Sequence, residues 1–184
     1  MSGVIGLDLS MTRTGACYIP SQWDFLPGTL VSQSVTSERD GSARGDPHVL
    51  AKLEIERFLK IAKGVVGFTK KCGVRHVAAE RYAYSKGQSS SATRLAELGG
   101  IVKSQLLLSC RAPAVSVAVN SARAFLTGGL KRGKQKQQVE VFLSQRGFFF
   151  DNYDEMDAFV IAFYWYCKIN ELENPLLPQQ TLGI

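Results

Sequence analysis

Val4-Ile5-Gly6-Leu7-Asp8-Leu9 places a single carboxylate inside an apolar run near the start of the chain. A charge between Leu7 and Leu9 is costly to bury unless a partner pairs with it or a cation is coordinated by it. Two functional uses fit such an Asp. It can hold a metal ion at the open end of a sheet, or it can belong to a phosphate-binding turn. The plainer alternative is an Asp at a strand end that hydrogen-bonds a neighbouring loop. The rest of the chain decides among these.

Outward from this strand, Ser10-Met11-Thr12-Arg13-Thr14-Gly15 reads as a polar turn and residues 16–19 as a second strand closed by Pro20. Residues 29–35 alternate apolar and polar with a period of two, the pattern of a half-exposed strand. Three strands with short links favour an antiparallel meander. Asp46-Pro47 then supplies a helix N-cap and a first-turn proline. Leu50, Leu53, Phe58, Ile61, Ala62 and Val65 follow at helical spacing, with an end predicted near residues 70–73. Residues 74–80 form a short strand that terminates in Glu80. A helix between two strands implies a crossover, so this strand runs parallel to an earlier one.

Further along, Leu95, Leu98, Val102 and Leu106 define a helix that contains Gly99-Gly100. Two glycines there cost roughly 1 kcal/mol each relative to Ala, so close packing against them is expected. Residues 114–119 read as a strand, and Asn120 or Ser121 as the cap of a short helix. Lys131, Arg132, Lys134 and Lys136 form a basic turn ahead of a helix with Val139, Phe142 and Leu143 inward. Asn152 and Glu155 have the spacing of a capping box. The run from Ala158 to Cys167 then forms a helix apolar nearly all round, hence buried. Residues 174–184, with two prolines, read as a loosely held tail.

The 184 residues suit one domain over 1–170 with a tail over 171–184. A net charge of +6, from 22 basic against 16 acidic residues, suits a polyanionic partner without proving one. The four cysteines are far apart and form no C-x-x-C or Cys/His cluster, which argues against zinc and for reduced thiols in a cytoplasmic setting. No signal peptide and no run of about 18 apolar residues is present, so no membrane role is expected.

Four acids stand out. Asp8 lies on the first strand, Glu80 ends the crossover strand, and Asp154 and Asp157 open the last helix. Residues three apart share a helix face, and this face continues through Ile161 and Trp165 toward the core. If that helix packs beside the first strand, all four acids converge. Two unit charges about 4 Å apart repel by roughly 4 kcal/mol at an effective dielectric near 20, so such a set calls for divalent cations. Oxygen-only ligation suits Mg²⁺, with Mn²⁺ as a substitute. Two ions per site would clamp a phosphodiester.

Together Ile5–Gly15, Ala79-Glu80-Arg81-Tyr82 and Asp154–Ala162 resemble the RuvC-type Holliday-junction resolvases of the RNase H-like superfamily, including divergent and bacteriophage-encoded members. Asp8 is followed by Gly15, Glu80 ends the fourth strand, and Asp154, Asp157 and Ala158 open the last helix. Leu95-Ala96-Glu97-Leu98-Gly99-Gly100 and Lys136-Gln137-Gln138-Val139 match two further motifs. Leu9-Ser10 stands where the family has Pro-Gly, and Ala83 where it has an aromatic residue. The resemblance implies an α/β, RNase H-like fold with a mixed five-stranded sheet flanked by helices. It implies a homodimer that cuts branched DNA by paired metal-dependent nicks within a bacterial or phage-infected cell. Lys136 is then expected at the scissile phosphate, with Lys131, Arg132 and Lys134 on flanking phosphates. Tyr82 or Tyr84 would stack on a base at the junction, and Arg81 and Lys86 would add phosphate contacts. Two other readings remain: a different nuclease of this superfamily acting on flaps or hybrids, and an actin-like nucleotide-binding protein. The second would need another domain and another Asp-Gly loop.

Overall fold

A computed structural model describes residues 2–37, 46–81, 89–129 and 135–177. Five strands form one mixed sheet in the order β3-β2-β1-β4-β5. They are β1 (Val4–Asp8), β2 (Arg13–Ile19), β3 (Val31–Thr36), β4 (His76–Glu80) and β5 (Ala114–Val117). β1, β2 and β3 form the expected antiparallel meander, while β4 and β5 are added in parallel beyond β1. The helices are α1 (Pro47–Cys72), α2 (Ser89–Cys110), α3 (Val119–Thr127), α4 (Gln135–Ser144) and α5 (Tyr153–Ile169).

The period-two alternation of the central strands divides the core. Ile5, Leu7, Val77 and Ala79 point to one face, where they pack against Phe58, Ile61 and Val65 of α1 and Leu98, Val102 and Leu106 of α2. Val4, Cys17, Ile19 and Ala78 point to the other, which α5 covers through Ala158, Ile161 and Ala162 together with α3 and α4. Residues i and i+2 of a strand share a face, so Asp8 and Glu80 project toward α5.

Two glycines determine how closely α5 approaches. A Cβ at Gly6 would stand 2.1 Å from the Ala158 carbonyl oxygen and 2.4 Å from the Ala162 nitrogen, and one at Gly15 would stand 2.0 Å from the Asp154 carbonyl oxygen. Real side-chain carbons do not approach that closely, so α5 lies directly on the backbone of β1 and β2. The helix is held at its first turn by Asn152, whose Oδ1 accepts from the Glu155 N–H at 3.0 Å. Asn152 Nδ2 also donates to the Glu155 carboxylate at 3.2 Å; the expected N-cap forms, but this second bond comes from the Asn152 side chain rather than from the backbone N–H that a capping box uses.

Several expectations need correction. The turn after β1 is shorter than predicted, because Arg13 to Gly15 already belong to β2 and Asp8 pairs with Gly15. Leu50 of α1 is exposed rather than inward. Helix α3 begins at Val119 with Ala118 as an uncapped N-cap. Asn120 instead lies inside the helix, where its Oδ1 accepts from Arg123 at 3.5 Å. A Cβ at Gly100 would meet nothing within 4 Å, so close packing does not explain that glycine, although Gly99 is buried. Lys136 lies on α4 rather than in a turn. The described start of the C-terminal tail is pinned. Asn174 Nδ2 donates to the Phe125 and Leu126 carbonyls at 2.6 and 2.9 Å, and the Arg146 Nε donates to Leu176 O at 2.9 Å. The two bonds from Asn174 satisfy carbonyls that the end of α3 leaves open.

Candidate active site

The site forms where the carboxyl ends of β1 and β4 meet the first turns of α5. β1 and β4 are parallel with Leu7 opposite Ala79. Extending that register by one residue sets Asp8 beside Glu80, both on the α5 face. Their side chains are within hydrogen-bonding reach of each other. Asp8 is only 8% exposed. Burial, the hydrogen bond to Glu80 and the charges of Glu80, Asp157 and Asp154 push its carboxyl up to about 9. A buried carboxyl this close to a second acid favours its neutral form unless a cation intervenes.

Asp157, 2% exposed, lies one helical turn into α5 and is held by two cations. Arg123 of α3 grips it in a fork: Nε donates to Oδ1 at 3.0 Å, and Nη2 donates to Oδ1 at 2.8 Å and to Oδ2 at 2.7 Å. Lys136 Nζ stands 2.9 Å from Oδ2. Partial burial alone would lower the Lys136 ammonium, but its hydrogen bond to Asp157 and the charges of Asp157 and Asp8 outweigh this and raise it. Lys136 thus bridges electrostatically between α5 and the end of β1. A buried fork of this kind is geometrically specific and strong only while both partners remain.

Asp154 is half-buried at the same helix end. Its carboxyl is raised, chiefly by burial, against the lowering influence of Lys136 and Arg13, with Asp157 and Glu155 adding to the rise. All four predicted acids therefore interact within one region. Among the described residues, however, no group of three or more acidic, His or Cys side chains is placed as it stands to hold one ion. The reason lies in the partners: Asp157 faces Arg123 and Lys136, while Asp8 and Glu80 face each other. The donor set is nevertheless all oxygen, and Asp8 within hydrogen-bonding reach of a second carboxylate is the arrangement that a divalent cation would relieve. On both counts these residues fit an oxygen-preferring ion.

Sequence reasoning missed two acids' true surroundings. Arg123 carries no motif of its own, and only its place on the α3 face packed against α5 reveals it. Glu155, expected only as a cap residue, is buried and accepts from Ser32 Oγ at 2.8 Å and Ser34 Oγ at 2.7 Å. That network ties the start of α5 to β3 and steadies the acids on either side. Arg81, the first residue past β4, is exposed and its N–H donates to Val117 O at 2.7 Å. Tyr82, Tyr84, Lys86, Lys131, Arg132 and Lys134 lie outside the described residues. No described helix is long and apolar enough to cross a membrane.

No protein-family model matches the sequence, and no curated protein matches it. Solved structures do. Thermus thermophilus RuvC in complex with a Holliday-junction substrate is 16% identical, with a TM-score of 0.66 over 94% of this chain and 99% of that one. A second T. thermophilus RuvC structure is 17% identical, with a TM-score of 0.66 over 91% and 96% of the two chains. The yeast mitochondrial Holliday-junction resolvase Ydc2 is 17% identical, with a TM-score of 0.55 over 94% and 82%. With its five-stranded mixed sheet and covering helix α5, the chain has the RNase H-like fold that these resolvases share.

Proposed function

We propose that the chain is a structure-selective DNA endonuclease that resolves four-way and related branched DNA junctions by paired, metal-dependent nicks. The observation that carries the reading is the buried Asp8, within hydrogen-bonding reach of the half-buried Glu80 and in the field of Asp157 and Lys136, at the end of a sheet whose fold is that of RuvC bound to a junction. Asp8, Glu80, Asp154 and Asp157 are the residues that would hold Mg²⁺ or Mn²⁺, up to two ions per site. Bound there, the ion supplies water activation and charge stabilisation at the phosphate.

The chain's own residues supply the rest. Gly6 and Gly15 bring α5 against the sheet. Arg123 fixes the carboxylate of Asp157. Lys136, whose ammonium reaches both Asp157 and the field of Asp8, would meet a backbone phosphate at the same place. Lys131, Arg132 and Lys134, next to it in sequence, would contact flanking phosphates, Arg81 and Lys86 would add phosphate contacts, and Tyr82 or Tyr84 would stack on a base. Two coordinated cuts in a symmetric junction need two equivalent sites, which a homodimer provides.

The test is cleavage of matched linear, flap, three-way, four-way and RNA–DNA hybrid substrates with and without Mg²⁺. The four-way junction should be cut in preference, and Asp8→Asn and Asp157→Asn should bind it without cutting. Normal cutting by either variant would remove the site assignment, and equal cutting of linear duplex would remove the junction specificity.

A further inference from the structure

Next to the acids, on the far side of Lys136, lies a second feature that the reaction does not use. Helix α4 and residues 148–156 enclose a groove of about 620 Å³. Its walls are Val141, Phe148, Phe149, Phe150, Tyr153 and Met156, and Glu140, Asp151 and Asn152 also line it. Phe149 is 78% exposed, an unusual state for a phenyl ring in a chain that buries Phe148 beside it. Tyr153 is also exposed, and its hydroxyl donates to Glu140 Oε2 at 2.8 Å. The groove volume falls inside the roughly 300–1,000 Å³ of small-molecule sites.

Its link to the active site is direct. Tyr153 immediately precedes Asp154 in α5. Lys136 Nζ, 2.9 Å from Asp157, stands 5.7 Å from the centre of the Tyr153 ring. One ammonium therefore separates the carboxylates from the aromatic wall. A phosphate held at Lys136 would leave its attached nucleoside within reach of that wall.

Charge then selects the occupant. Glu140 and Asp151 repel a phosphate entering the groove, but accept hydrogen bonds from the amino and imino groups of a base edge. Aromatic faces stack any base, which is sequence-tolerant. We propose that this groove receives an unpaired nucleobase flanking the cut phosphate, stacked on Phe149 and Tyr153 while its phosphate stays outside with Lys136. The proposal rests on the nuclease reading, since it takes Lys136 as a phosphate contact.

Photocrosslinking tests it. Four-way junctions carrying 5-iodouracil at single positions around the cut would be irradiated with the Asp8→Asn protein, and the crosslinked peptides mapped by mass spectrometry. One position should crosslink to Phe149 or Tyr153. Phe149→Ala, at an exposed site where folding is not at stake, should weaken junction binding by about tenfold, as expected for loss of one stacked base. Its affinity for linear duplex should not change. Crosslinks confined to other segments, or an unchanged junction affinity in Phe149→Ala, would overturn the proposal. So would a fall in oligomeric size of Phe149→Ala without DNA, which would make the groove a contact between copies of the chain. Junction cleavage by the wild type without the crosslink in Asp8→Asn sinks the groove alone, whereas the crosslink with no cleavage by the wild type sinks the nuclease reading alone.

Discussion

Gly15→Ala tests how the fold makes the site. The glycine lies in β2 beneath the first turn of α5, with no need for a left-handed backbone, so an alanine there is resisted by space alone. Its Cβ would stand 2.0 Å from the Asp154 carbonyl oxygen, 2.3 Å from the Asp154 carbonyl carbon and 2.8 Å from the Glu155 nitrogen, where ordinary contact begins at 3.4 Å. All three atoms are backbone, so no rotamer change relieves the clash. The start of α5 must recede by about 1.4 Å. That motion carries Asp154 and Asp157 away from Asp8 and pulls Glu155 from Ser32 and Ser34. Overpacking of this kind costs about 1–3 kcal/mol of stability, and a displacement of about 1 Å at reacting groups can cost roughly 100-fold in rate. The assays are thermal unfolding and single-turnover junction cleavage in Mg²⁺. We expect a lowered Tm and a cleavage rate reduced about 100-fold with junction binding largely retained. Gly28→Ala, where a Cβ would meet nothing within 4 Å, is the control. Wild-type cleavage by Gly15→Ala would refute the claim that α5 needs this close approach.

Three further outcomes are expected. Arg123→Ala leaves Asp157 buried with only Lys136; breaking a buried pair costs about 3–5 kcal/mol, so its Tm should drop more than that of Arg123→Lys, as read by calorimetry. In EDTA, Asp8 is protonated up to about pH 9 in the folded protein, against about 3.9 when unfolded. Its contribution is complete below the unfolded value and is lost as pH rises toward 9, so the wild type should lose more stability than Asp8→Asn between pH 5 and pH 9 in thermal melts; parallel curves would show that burial does not hold Asp8 neutral. Replacing Lys131, Arg132 and Lys134 together by Ala should flatten the slope of log K against log salt by about 0.9 per lost phosphate contact, measured by fluorescence anisotropy on a four-way junction; an unchanged slope would take them out of the interface.

How much of this was legible beforehand depends on the range of the interaction. The meander, the crossover to β4, the Asp46 cap of α1 and the Asn152 cap of α5 are local or periodic, and the sequence carries them openly. The four acids could also be picked out, because a carboxylate inside an apolar run or on the inward face of an apolar helix is costly and so needs a reason. Arg123 could not, since an arginine on a short helix is ordinary until that helix is seen against α5. The surroundings of Glu155 depend on Ser32 and Ser34, more than a hundred residues away. The aromatic groove likewise exists only once α4 and the segment before α5 are set side by side.

Local pattern along the chain was enough to mark Asp8, Glu80, Asp154 and Asp157 and the strands and helix that hold them, because periodicity, capping and the cost of burying a carboxylate act over a few residues. That Asp8 comes within hydrogen-bonding reach of Glu80, and that Asp157 is gripped by Arg123 and Lys136, emerged only from the packing of the elements. Those pairings depend on α5 lying directly on the backbone of β1 and β2, a distance set by two missing side chains, Gly6 and Gly15, and steric contact of that kind has no signature along the chain.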